Sequence, residues 1–172
     1  MKPLAEYNIV FSGLKVGQHD FEYTLEDAFF DEFAEADFRN ANVHLNVVLE
    51  KRDTMLTFDF SFHGTVETDC DRCADPLQLP VDGEHRLIVK FGDEEYEQSD
   101  EILVVPSSTF QLNLAQFAYE YIVLSLPLKR VHPEGECNEQ ALARLEDLSI
   151  DEQDVPETDP RWAALGQLKN KN

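Results

Sequence analysis

Three cysteines and a histidine fall into two short-spaced pairs. The stretch "TDCDRCAD" (68–75) sets Cys70 and Cys73 two residues apart, and "KRVHPEGEC" (129–137) sets His132 and Cys137 four apart. Thiolate sulfur and imidazole nitrogen are the ligands of tetrahedral zinc, and C-x2-C with H-x4-C supplies four of them. Each pair needs a tight turn to aim both side chains inward. Pro133 and Gly135 give the second pair its turn residues, and the first lies between two predicted strands. Three buried thiols beside a surface histidine are the plain alternative. A redox dithiol fits less well, because it normally opens a helix in a βαβ setting that this chain lacks.

His132-Pro133-Glu134 also contains the H-x-E of zinc deaminases, in which an open metal position activates water and Glu moves the proton. Here the C-x2-C comes first, Asp69 rather than a proline precedes it, and Cys137 can fill the open position. A filled fourth position makes a closed, structural site. Metal retained with an open position in Cys137→Ser would favour the enzyme.

The elements that must position these residues follow from hydrophobic period. Val43, Leu45, Val47 and Leu49, then Leu56, Phe58, Phe60, Phe62 and Val66, alternate with polar residues around an "EKRDT" turn, which predicts a hairpin with one dry face and puts His63 on the wet one. Leu77, Leu79, Val81, Leu87, Val89 and Phe91 predict a further strand, interrupted near Asp82-Gly83. Residues 5–11 and 18–24 are expected as strands, with "ILVVP" as a short one; Gly64 marks a bulge or a close approach. Leu25, Phe29 and Phe33 are spaced for a short acidic helix. A second helix is capped at Asn113 and stopped at Leu126-Pro127, with Leu114, Phe117, Ala118, Tyr121 and Ile122 on its stripe. "NEQALARLEDL" predicts another. The expected class is α+β: an antiparallel meander that could close toward a barrel, followed by two or three helices. Residues 1–146 are expected as one domain, 147–158 as an acidic linker and 159–172 as a short terminal helix, on which Trp162, Leu165 and Leu168 form a narrow stripe that could dock on a partner.

At 172 residues and 42% hydrophobic the chain can bury a core without disulfides. An odd count of three cysteines and no long apolar run predict a reduced, cytoplasmic setting without a membrane span. Against 14 Lys plus Arg stand 35 acids, for a net charge of −21. Such a surface repels phosphate backbones and attracts basic partners. Acids concentrate at Asp20 to Asp37, at 93–101 and at 146–159. A local RNA contact stays open, because screening confines repulsion to about 8 Å; its candidates are Arg72, Lys129 and Arg130. Asp71, Glu134 and Glu136 lie in the same segments and offset that charge.

"ETDCDRCADPL", "NLAQFAYEYIVLSLPLKRVHPEGEC" and "DPRWAALGQLK", in that order, resemble the bacterial YceD family, named for large ribosomal RNA subunit accumulation. Residues 1–52 match it in pattern only. The resemblance implies a non-catalytic role in large-subunit ribosome biogenesis, with large-subunit rRNA or a basic ribosomal protein as partner and no small-molecule substrate. Family members are commonly encoded beside a basic zinc-ribbon protein of that subunit, which makes an acidic holder of such a protein, without RNA contact, the alternative. The resemblance also implies a structural zinc on Cys70, Cys73, His132 and Cys137.

Overall fold

The computed structural model describes residues 4–33, 36–92 and 101–149. Its frame is a five-stranded sheet in the order β2-β3-β4-β5-β6, built from β2 (Gly17–Glu26), β3 (Arg39–Lys51), β4 (Met55–Asp69), β5 (Pro76–Phe91) and β6 (Ile102–Val105). β2 through β5 run antiparallel, as a meander should. β6 runs parallel to β5, so the sheet is mixed and open, and no barrel closes among the described residues.

Alternation sets the register. Leu45, Phe62 and Gly83 lie in one row, as do Leu49, Phe58 and Leu87, and all these apolar side chains are buried. Each large one contributes roughly 1.5–3 kcal/mol relative to exposure. The opposite face carries Glu22, Asn46, Ser61 and Glu84 in one row and Thr24, His44, His63 and Asp82 in the next. His63 is exposed there, its ring 5.4 Å from that of His44.

β5 is unbroken through Asp82-Gly83, contrary to expectation. A Cβ on Gly83 would lie 2.6 Å from the Phe62 ring, so glycine here admits an aromatic side chain instead of breaking the strand. Gly64 proves to be a close approach. A Cβ there would meet the Asn42 carbonyl oxygen and come within 2.7 Å of the Val43 Cα, beside the register shift that β3 makes between Arg39 and Asn42.

The first expected strand is only β1 (Asn8–Ile9), set between two 3-10 turns, and it pairs with β7 (Leu112–Asn113), not with β2. The expected acidic helix shrinks to the single turn α1 (Asp27–Phe30), because Leu25 completes β2. Asp27 Oδ1 accepts the Ala41 N–H at 2.7 Å and holds that turn to β3. α2 (Ala115–Ser125) is capped by Asn113, whose Oδ1 accepts the Ala115 N–H at 2.9 Å, and it ends where Leu126 turns extended before Pro127. It covers the dry face: Tyr121 stacks on His85 at 4.4 Å and Tyr119 on Phe33 at 4.2 Å. α3 (Glu139–Leu148) is capped by Asn138 and buries none of its residues. It runs two residues into the segment expected as linker. Residues 150–158 of that linker and the expected terminal helix, with Trp162, Leu165 and Leu168, lie outside the described residues.

Gly64→Val is expected to destabilise by about 2 kcal/mol, the usual cost of overpacking a tight site. Urea unfolding measures it; an unchanged midpoint would contradict the close approach.

Candidate metal centre

The two longest strands meet at the C-x2-C. After the last ladder pair, Asp69 with Pro76, the chain reverses: Cys70 N–H donates to the Asp75 carbonyl and Ala74 N–H to the Cys70 carbonyl, both at 2.9 Å. Ala74 sits at φ 60°, the left-handed conformation that closes the turn. Within it the Arg72 N–H points at the Cys70 sulfur at 3.5 Å, which favours the thiolate.

The second pair arrives from the far end of α2. Asp71 N–H donates to the Arg130 carbonyl, and Arg130 N–H donates to Asp71 Oδ2, each at 2.7 Å. This reciprocal pair of bonds fastens the loop after α2 to the cysteine turn. Gly135, at φ 87°, and the Glu136 N–H donating to the Pro133 carbonyl then turn the chain so that Cys137 points back. Asn138, which caps α3, donates through Nδ2 to Asp75 Oδ2 at 3.1 Å.

Cys70, Cys73, His132 and Cys137 therefore converge, their ligand atoms all within 4.8 Å of one another. Cys73 Sγ is 3.4 Å from His132 Nδ1, and Cys70 Sγ is 4.0 Å from Cys137 Sγ. Metal–ligand bonds of about 2.0–2.3 Å in a tetrahedron put ligand atoms roughly 3.5–3.8 Å apart, so the donor set fits one ion. The three sulfurs are buried and unpaired as disulfides. His132 Nε2 lies 3.1 Å from the Pro76 carbonyl. With the proton there, Nδ1 presents its lone pair to the cluster, the outer-shell arrangement that orients a metal-bound imidazole.

The electrostatics within the cluster favour charge separation. Burial pushes the Cys70 thiol up, but backbone N–H groups of Arg72, His132 and Cys73 outweigh it and hold it down to about 6. The Cys70 sulfur in turn raises His132. Burial first, then hydrogen bonds to the other two sulfurs, pushes Cys137 up to about 11.

Of the residues expected to touch RNA, Arg72 and Lys129 are exposed. Arg130 is engaged inward, its Nη1 donating to Asp37 Oδ2 at 3.1 Å and to Thr68 Oγ1 at 3.3 Å. Asp71, expected only as an offsetting charge, is thus a hydrogen-bond partner of the loop, and neither Asp37 nor Pro76 carries a motif signal for its contact. Arg72 lines a shallow groove with Arg144, Leu145 and Leu148 of α3.

A family model described as "Large ribosomal RNA subunit accumulation protein YceD" matches residues 58–169, well over half the chain, a span within which Cys70, Cys73, His132 and Cys137 lie. The chain belongs to the YceD family. No curated protein and no solved structure matches it. The YceD match begins inside β4 and leaves out β1 to β3, the region that the motifs also left to pattern alone. That family's description supports a role in large-subunit biogenesis. No helix among the described residues is long and apolar enough to cross a membrane.

Metal binding should strengthen as pH rises, because Cys137 and His132 must each give up a proton to ligate. A competition assay with a chromogenic chelator should show apparent zinc affinity growing by at least about tenfold per unit between roughly pH 6 and 8. A flat profile would contradict ligation by these two groups. Chelator-free preparations should carry about one zinc per chain, and Cys137→Ser should lower both metal content and thermal midpoint; full metal content in that variant would count against the closed site.

Proposed function

We propose that the protein is a non-catalytic, cytoplasmic factor of large-subunit biogenesis that holds a basic ribosomal protein on its acidic surface, with a structural zinc fixing its fold. Beyond family membership, the observation that carries this reading is the charge. At −21 the chain favours a cationic partner. Electrostatic complementarity speeds capture and weakens with salt.

The ligand set supports a structural role for the zinc. Three sulfurs and one imidazole fill four positions, and Cys137 occupies the place that a deaminase leaves to water. Glu134 is exposed on the turn between His132 and Cys137.

A second reading, direct contact with large-subunit rRNA, draws on Arg72 and Lys129, exposed at the metal end. A knuckle with nearby arginine can hold an RNA loop through phosphate contact and stacking. The engagement of Arg130 with Asp37 and Thr68 leaves it fewer free cations.

Affinity capture from lysate of the protein's own organism, with and without RNase, near physiological salt, separates the readings. Retention of a basic large-subunit protein after RNase is the expected result. Recovery of rRNA that is lost with RNase and with Arg72→Glu/Lys129→Glu would establish the second reading in its place.

A further inference from the structure

The strand β2 forms one edge of the sheet, and among the described residues β3 is its sole ladder neighbour. Ten successive register pairs join β2 to β3 without a shift, so the outer edge is an unbroken row of backbone N–H and C=O groups about 33 Å long. Proteins blunt such edges with proline, lysine, a bulge or a covering element. The sequence GQHDFEYTLE contains no proline and no lysine, and its ladder contains no bulge.

Acids stand there instead. Asp20, Glu22 and Glu26 are exposed on the wet side of the strand, with Gln18 ahead of Asp20 and Thr24 between Glu22 and Glu26. None of the three has an ion-pair partner among the described residues. On the dry side, Phe21 and Tyr23 pack against the core but remain partly exposed. A strand added at this edge would find negative charge at alternate positions on one face and aromatic surface on the other.

That pattern selects the occupant. A second copy pairing through β2 would bring six carboxylates onto one face, and like charges placed opposite one another destabilise a strand pair. A cationic strand reverses the sign of each of those terms. We infer that the β2 edge takes an extended segment of a basic protein as an additional strand, with Lys or Arg at alternate positions facing Asp20, Glu22 and Glu26 and apolar side chains over Phe21 and Tyr23. Backbone hydrogen bonds along the edge supply affinity, and the two alternating rows supply selectivity. The inference rests on the proposed capture of a basic protein and names where on the surface it happens.

The test uses the full-length, metal-loaded protein and a labelled peptide of alternating lysine and valine, read by fluorescence anisotropy near physiological salt. Binding is expected, with backbone amide resonances of β2 perturbed. A peptide of the same sequence N-methylated at alternate residues keeps its charge but cannot complete a ladder, and its affinity should fall by at least about tenfold. Asp20→Lys/Glu22→Lys, at exposed positions that leave the core untouched, should weaken the unmethylated peptide by a similar factor. Equal affinity for both peptides would overturn the inference, since simple charge attraction would then suffice; so would perturbation confined to α3 or the metal end. If the Lys variant still captures the ribosomal protein from lysate, the edge is wrong while the holder function stands. If the peptide adds to β2 but no ribosomal protein is captured, the edge stands and the function fails.

Discussion

The constraint on which this architecture depends is the tie between two turns that are far apart in sequence. The cysteine turn ends the hairpin of the two longest strands, and the His132–Cys137 turn follows the helix that covers the sheet. Four buried or half-buried ligand atoms within 4.8 Å of one another bring these turns together. Around them the reciprocal bonds between Asp71 and Arg130 and the contact of Asn138 with Asp75 repeat the same connection in ordinary hydrogen bonds. Without an ion, the cluster would bury three sulfurs together, with the Cys70 thiol held down, the Cys137 thiol pushed up and the His132 imidazole raised beside them. A bound ion would replace that mismatch with one charge shared by all four groups, and its binding energy would become folding energy for the loops that supply them.

What the tie positions is the outer end of the molecule. α3 has no buried residue of its own, so Cys137 and the Asn138 cap anchor its start. The sheet, by contrast, stands on alternation and on two glycines that let other groups come close. Gly64 admits the Asn42 carbonyl and Gly83 admits the Phe62 ring. The dry face is thus complete without the Cys/His end, and the wet face is left polar and predominantly acidic.

The central hairpin was legible because Val43 to Leu49 and Leu56 to Val66 keep strict period two, and the Cys/His cluster because short-spaced Cys/His pairs are rare in a chain with three cysteines. Other features carried ambiguous signals. Leu25, Phe29 and Phe33 are four apart, a spacing that serves one helical turn and also keeps strand parity; Leu25 went to the strand and the helix lost its start. Asp82-Gly83 looked like a break, although the buried apolar positions from Leu77 to Val89 stay odd-numbered throughout, the sign of a continuous strand. The parallel course of β6 leaves no mark in hydrophobic period, since "ILVV" reads alike in either direction. Backbone acceptors such as the Pro76 carbonyl have no side-chain signature at all.

Zinc K-edge X-ray absorption on protein purified without chelators tests the tie most directly. Three sulfurs at about 2.3 Å and one imidazole nitrogen at about 2.0 Å are expected, with the nitrogen signal lost in His132→Ala. A first shell of oxygen and nitrogen alone, or a preparation without zinc whose thermal midpoint is unmoved by added zinc, would contradict a metal-tied architecture.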